Sequence, residues 1–579
     1  YFMNGNQLMV RGEDGNETSA YFTFASEDGT TITVADGVTR ITSHMFQNYP
    51  DVKKIILPES VKVLESGAFD CCFNLETVVM PAVEVIEQWA FNGCIKLNYL
   101  ELPETVREID FQAFRDCSEG AVGGLTIDMS AIDSEKAEIG KGIFFHITHS
   151  TTKGHGLKKI ILPSNISVIP ENMFEYCTFL DTVTYYLTDE NGDYVYETDS
   201  EGNVVKDANN NPVRKVAGNG AVGVYLPETV TTIRGGAFTE CYSLTYAEIP
   251  ASVVGFGEFS TSATGKTFYK CTKLKEVKFL GNNVTEITDS SFEGCAALTT
   301  INIPSSVTTF GKRVFYNCSK LAKVTIPSAV TVIPDGCFYS CSAMVLEYNG
   351  KLTNVGTGSF YNCKKVTGID TSEIVEFKSK AFSGTAITKA VVNVDLTAGN
   401  VFEKCTSLTE VTFGANVREL GGSTFSGCSK LATITLPDGL AVINASLLQG
   451  TAITSIDIPD SVTEIKGSAF DGCKKLTAIT LGGNIRTIAA GAFSGCTGVK
   501  EIVIPKTVIN FTGTTPFKNW TAQQIIKFEL DEWQVGSLYE FRWDDGCNAT
   551  VQYGVGKTTE SGTETGGETG TEDQAQQAA

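Results

Sequence analysis

Along most of this chain a short burst of alternating apolar and polar residues recurs, closed each time by proline or a turn. In LAKVTIP (321–327), Leu321, Val324 and Ile326 are apolar, while Thr325 between the last two is polar. The alternation predicts a half-buried strand with Thr325 facing out, because successive strand side chains point to opposite faces. Pro327 ends the strand, since proline cannot donate to a ladder. Beyond it Val330 and Ile333 turn inward again, and Phe338 fills the wide part of the turn. One turn cannot bury these groups alone, so the pattern predicts many turns stacked on one another.

The burst recurs as AFNGCIKLNYLELP (90–103), SFEGCAALTTINIP (291–304), VFYNCSKLAKVTIP (314–327) and AFSGCTGVKEIVIP (492–505). Between copies lies a second block such as SSVTTFGKR (305–313) or DSVTEIKGS (460–468). The repeat aromatics set the period: Phe46, Phe69, Phe91 and Phe114 are 22 or 23 residues apart, as are Phe292, Phe315, Phe338, Phe360 and Phe382. Phe402, Phe425, Leu448, Phe470 and Phe493 continue the series, and with Phe174, Phe238, Phe268 and Phe517 the count reaches about eighteen units. A fixed period of 20–29 residues with L-x-x-I-x-I cores is the signature of a leucine-rich repeat. Eighteen strands at about 4.8 Å predict a parallel-sheet solenoid roughly 85 Å long. The sheet should lie on the concave face, with irregular turns and few helices elsewhere.

Two intervals break the period, from Phe114 to Phe174 and from Phe174 to Phe238. Long loop insertions are expected there, near residues 118–155 and 187–221. The second, with TDENGDYVYE, TDSEGNVVKD and ANNNPVRKV, reads as short strands joined by Asx/Gly turns. Residues 1–31 are expected to form an N-terminal cap, 32–520 the solenoid, and 521–556, with Trp533 and Trp543, a C-terminal cap. Residues 557–579 have no large apolar side chain and are expected to be disordered.

These residues resemble the BspA-like branch of bacterial leucine-rich-repeat proteins. The string S-V-T-x-I-x-x-x-A-F-x-x-C-x-x-L-x-x-I-x-I, as in SVTEIKGSAFDGCKKLTAITL (461–481), is that family's hallmark, and the resemblance spans residues 32–517 or so. It implies a surface-exposed or secreted product of a host-associated bacterium, or of some protozoa. The implied role is adhesion to host matrix proteins, host cells or other bacteria. The family defines no catalytic residues to carry over, and the two insertions depart from its bare pattern.

Composition adds limits. The chain has 67 acidic and 45 basic residues, a formal net charge of −22, which argues against nucleic acid or an anionic membrane as partner. No apolar run approaches the roughly 18–20 residues that span a bilayer. The opening YFMNGNQ has neither an initiator Met nor an apolar leader, so the chain reads as mature or trimmed, with any export signal or anchor out of view.

Candidate chemistry is sparse. Fourteen of the 17 cysteines, Cys94, Cys177, Cys318, Cys428 and Cys496 among them, share one repeat position, with Cys71, Cys337 and Cys547 off it. Stacking puts neighbouring Cβ atoms about 4.8 Å apart, wider than the 3.5–4.5 Å a disulfide wants. Small buried, inert thiols are therefore expected. His146, His149 and His155 offer metal ligands but cross a flexible Ser/Thr/Gly loop, so solvated histidines are the plainer reading. Asp189, Asn191, Asp193, Asp199 and Glu201 invite calcium, yet Gly192 falls one position early for a calcium loop, which leaves hairpin turns. No G-x-S-x-G, Walker A or H-E-x-x-H string occurs, and no cofactor or catalytic residue is expected.

The outward mid-strand ladder remains. Its predicted members are Ile56, Val79, Glu101, Ile161, Thr184, Glu248, Lys278, Asn302, Thr325, Asp370, Thr412, Thr435, Asp457, Thr480 and Val503. Its N-terminal half is varied and has Tyr99, Tyr185, Tyr186 and Tyr246 nearby, with Tyr194 and Tyr196 in the second insertion. Tyrosine is a favoured hot-spot residue and solenoids bind large partners on such faces. Candidate partner-binding residues are thus Tyr99, Glu101, Tyr185, Tyr186, Tyr194, Tyr196, Tyr246, Glu248 and Lys278. Tyrosines that only pack against insertion loops are an equally good reading. The expected function is non-enzymatic recognition or adhesion outside the cell, towards a host extracellular-matrix or cell-surface protein or another bacterial surface molecule. The alternatives are a repeat region of a larger secreted enzyme and a structural surface-coat protein.

Overall fold

Each repeat lays down one rung of a long parallel sheet, a short rung of a second ladder, and one ring of a phenylalanine stack. The computed structural model describes residues 29–46, 49–117, 123–145, 156–258, 265–538 and 543–556, together with the strands Phe2–Asn4, Gln7–Arg11, Glu17–Ser19 and Phe22–Phe24. The result is a parallel β-solenoid of about 22 turns. Its main sheet starts with Thr31–Val34, Lys54–Ile56 and Thr77–Val79, and ten parallel strands follow from Tyr99–Glu101 to Val345–Tyr348. Shorter pieces continue it to Thr550–Gln552. Among the described residues, Glu532–Leu538 is the one α-helix, and none is long and apolar enough to cross a membrane.

In the turn that ends LAKVTIP, Leu321, Val324 and Ile326 are buried and Thr325 is exposed, as the alternation requires. The repeat phenylalanines form one column. From Phe46 to Phe425 successive rings stack with centroids 4.9–5.8 Å apart. Leu448 interrupts the column, and Phe470, Phe493 and Phe517 resume it.

The backbone around each ring explains why Gly, Asn, Ser and Lys flank it. Two residues before and two after Phe315, Arg313 and Asn317 have φ of 56° and 61°. Left-handed residues at every second position turn alternate N–H groups the same way along the solenoid. Arg313, Phe315 and Asn317 therefore donate to the carbonyls of Asp335, Cys337 and Tyr339 in the next turn, at 3.0, 2.8 and 2.8 Å.

Three features differ from the sequence expectation. The first long interval is not loop throughout, because Leu125–Asp128 joins the main sheet, Glu138–Ile139 joins the short ladder, and Phe144 stacks between Phe114 and Phe174. The second interval also carries a rung without a ring: Thr182–Tyr185 and Gly223–Tyr225 pair in parallel, while Phe174 stacks directly on Phe238. Counting rings therefore undercounts turns, about eighteen against about 22. Lastly, Ile161 and Thr184 do not belong to an exposed ladder, being 4% and 1% exposed beneath the second insertion.

That insertion is a small three-armed body. Leu187 N–H donates to Lys215 O, Lys215 N–H to Val195 O, and Val195 N–H back to Leu187 O, at 2.8–2.9 Å. A second closed triangle joins Glu197, Val213 and Val205 at the same distances. The three arms end in the matching tips 189–193, 199–203 and 207–211. In each, the leading Asp accepts from two backbone N–H groups through Oδ1. Those bonds hold the Asp199 and Asp207 carboxyls below the usual carboxylate range.

Candidate functional site

The insertion stands as a wall on the main sheet, over the strands that carry Asp128, Ile161 and Thr184, fastened by one buried carboxylate. Asp128, at the end of its strand, is 3% exposed. Its Oδ2 accepts from the Tyr186 hydroxyl at 3.1 Å, and its Oδ1 from Ser130 N–H at 2.9 Å. The Tyr99 phenol lies close enough to the same carboxylate to feel its charge. Thr184 Oγ1 donates to Ala217 O at 3.0 Å, closing the sheet against the returning arm. There Gly218 (φ 73°) lies so close to the Tyr225 ring that a Cβ would meet it at 2.5 Å.

Aromatic and cationic groups finish the joint. The Arg214 guanidinium lies 4.1 Å from the Tyr194 ring centroid and 5.2 Å from that of Tyr186, and the two rings meet edge to face at 5.7 Å. Burial first, and then the Asp128 carboxylate, push the Tyr99 and Tyr186 phenols well above their ordinary value. Beside this wall the sheet is a floor. Val79 and Tyr99 are 40% and 42% exposed, Ile56 is half-buried, and Glu101 is exposed. A depression of about 310 Å³ lies on it, lined among others by Val79, Met80, Tyr99, Glu101 and Ala131.

The candidate residues thus fall into two groups. Tyr99, Tyr186 and Tyr194 converge with Asp128 and Arg214, neither of which the sequence singled out. Glu101 edges the floor, and Tyr196 is exposed on the wall, its backbone bridged to Arg214. On the other side Tyr246 packs on Tyr225 at 5.7 Å and donates to Glu248 Oε1 at 3.1 Å, which also receives Lys278 Nζ at 3.1 Å. Half-buried Tyr185 completes that group. Two of the three tyrosines at the joint are spent in packing the insertion, while Tyr99 and Tyr196 remain open.

The sequence also missed a second aromatic feature at the phenylalanine corner. Tyr316, Tyr339 and Tyr361 stack at 4.5 and 4.6 Å, with the Arg313 guanidinium 3.8 Å from the first ring centroid. Their common place, one residue after the repeat Phe, was a visible signal.

The cysteines do structural work. In thirteen turns the thiol donates to a carbonyl of the preceding turn, as Cys318 does to Phe292 O at 3.1 Å and Cys473 to Leu448 O at 3.1 Å. Trp520 occupies the thiol's place in the last such turn, its indole N–H donating to Phe493 O at 2.9 Å. All 17 cysteines are free. Burial pushes the ladder thiols up, Cys405 to about 11 and Cys363 to about 12. At pH 8 they are therefore protonated, and Ellman's reagent should label half-exposed Cys71 and Cys547 long before the buried thiols react. Cys318→Ala should cost about 1 kcal/mol in urea unfolding, because Phe292 O keeps its bond from Cys295 N–H.

Among the described residues no group of three or more His, Cys, Asp or Glu side chains could hold a metal ion. His146, His149 and His155 lie outside the described residues, as do residues 557–579.

A family model described as the BspA-type leucine-rich repeat region, in six copies, matches residues 19–122, 131–198, 220–320, 285–400 and 397–522. No curated protein matches the chain. Among solved structures, a leucine-rich repeat protein from Bacteroides ovatus is 19% identical over 95% of this chain and 99% of its own, with a TM-score of 0.35. A leucine-rich cell surface protein from Faecalibacterium prausnitzii is 24% identical over 62% of this chain and 94% of its own, with a TM-score of 0.36. The pneumococcal vaccine antigen PcpA is 15% identical over 95% of this chain and 100% of its own, with a TM-score of 0.23.

Proposed function

The chain belongs to the BspA-type leucine-rich-repeat family, and on that premise we propose that it is a non-catalytic recognition protein working outside the cell. Its partner is a macromolecule, a host extracellular-matrix or cell-surface protein or another bacterial surface molecule. It is held between the open floor of the N-terminal main sheet and the three-armed wall.

The observation that carries this reading is the fastening of the wall to the floor through Asp128 and Tyr186. An insertion serving only as a loop has no need of a buried carboxylate latch. Fixed in place, it sets Tyr194, Tyr196 and Arg214 beside Tyr99 and Glu101, and rigid aromatic and arginine groups lose little entropy on binding. The solenoid supplies the length that large partners need. Tyr185, Tyr246, Glu248 and Lys278 extend the same face beyond the wall.

A panel of immobilised matrix and surface proteins tests it, with the intact chain beside a Tyr99→Ala/Tyr196→Ala variant. The variant should bind about tenfold or more weakly, some 1.4 kcal/mol per decade. Unchanged affinity in a folded variant would put the contact elsewhere.

A further inference from the structure

The short ladder on the flank of the solenoid is broken beside the first long interval, and the break is an open cleft. Five strands run in order from Arg40–Ile41 to Glu138–Ile139, and a separate ladder begins at Val168–Ile169. In the unbroken part, Asp110 N–H donates to Ile86 O and Gly140 N–H to Ile109 O. The next residue in that series is Pro170, which has no N–H to give. The corner before Glu138 is also longer than its neighbours, with an extra turn in which Lys136 and Ala137 N–H groups donate to Asp133 O. At two other breaks, after Gly255–Glu258 and after Thr309–Phe310, the facing strands stay packed together.

The vacancy is framed on every side. At one end Asn165 bonds to Asp133 and to Ser134, and at the other Gly142 N–H donates to Glu171 O at 3.0 Å. Between them lies a cleft of about 420 Å³, lined by Ala137, Glu138, Ile139, Lys141, Val168 and Arg234 among others. That volume falls in the range of ligand pockets. Residues along a strand alternate in the direction of their backbone groups. Glu138 and Gly140 donate backwards, to Arg107 O and Ile109 O, so Ile139 turns its N–H and C=O into the cleft. On the far side Ser167 O accepts from Thr231 and Thr232, so Val168 turns its own pair inward. Among the described residues neither pair has a backbone partner.

We propose that this cleft binds a short peptide in extended conformation, whose main chain takes the vacant rung between Ile139 and Val168. Two unpaired edges that turn donors and acceptors into one cleft invite a third strand, and main-chain pairing is how sheet edges capture peptides. Glu138 stands in the same cleft as Lys141 and Arg234. The ammonium and carboxylate of a short peptide thus both find opposite charge. This site is separate from the floor and wall described above, and neither reading depends on the other.

The test uses the full chain and a pool of randomised free tripeptides, with the same pool N-acetylated and C-amidated as a second arm. Hydrogen exchange at the Ile139 and Val168 amides should slow at least tenfold with about 1 mM free tripeptide. Ala137→Trp, which fills the cleft, should abolish that protection while circular dichroism stays unchanged. Equal protection by the capped pool assigns the site to internal segments of a longer chain, and protection by the free pool alone assigns it to free peptides or chain termini. No slowing at either amide with either pool on the unmodified chain overturns the proposal, and so does protection that persists in a folded Ala137→Trp protein.

Discussion

Phe338→Ala is expected to destabilise the central turns by about 3–5 kcal/mol. The ring is fully buried, stacked between Phe315 at 5.4 Å and Phe360 at 5.5 Å, with Phe310 edge-on at 6.0 Å. Its neighbours cannot collapse into the space, because each is held by its own hydrogen-bonded turn: Phe315 N–H donates to Cys337 O and Phe338 N–H to Ser359 O, both at 2.8 Å. In a solenoid each turn touches only its neighbours, so the loss is local before it is global. Urea unfolding followed by hydrogen exchange should show protection failing first in the turns around Phe315, Phe338 and Phe360, while those around Phe69 and Phe91 hold. A cost below about 1 kcal/mol, or an even loss along the chain, would contradict the stacked column as the main support of the core.

Asp128→Ala is expected to release the wall from the floor. The substitution removes the acceptor of Tyr186 and of Ser130 N–H, and hydrogen bonds to a buried charge are each worth about 1.5–3 kcal/mol. The solenoid core should survive, since Asp128 belongs to the face and not to the phenylalanine column. Exchange should rise about tenfold or more at amides of the returning arm, such as Ala221, while amides of the central turns stay unchanged. Docking should also depend on pH. The folded chain holds the Tyr99 and Tyr186 phenols above the ordinary value near 10, so the released state ionises first. The latch is then fully present below about pH 10 and weakens as pH climbs from there towards the folded values. In Asp128→Ala both phenols should titrate nearer the ordinary value, read from tyrosinate absorbance. An unchanged exchange pattern in the variant would show the insertion to be held by something else.

The solenoid was legible because its physics is periodic: Phe315, Cys318, Leu321, Val324 and Ile326 are spaced as one turn demands, and each lies buried. Where the period fails, so did the reading. Phe144 stands thirty residues from both Phe114 and Phe174, and its turn was hidden by a lengthened corner and by residues on both sides of it. Gly223–Tyr225 is a rung without a ring, invisible to a count of phenylalanines. Trp520 replaces a thiol by doing the same hydrogen-bonding work with an indole, an equivalence of function and not of residue type. The site was harder still. Tyrosines near the sheet were visible, but the burial of Ile161 and Thr184 and the latch at Asp128 arise from an insertion folding back across turns far away in sequence. No local pattern encodes such a contact.

The most direct test of the recognition face is to remove the wall and keep the floor. Residues 188–214 can be replaced by Asn-Gly, which closes a hairpin on the antiparallel bridge between Tyr186 and Val216. Binding to the partner found with the intact chain is then measured by interferometry, with the melting temperature as control for folding. The account predicts a shortened chain that keeps its solenoid and loses at least about tenfold in affinity, or 1.4 kcal/mol. A shortened chain that melts as a folded solenoid and binds with the affinity of the intact protein would contradict it.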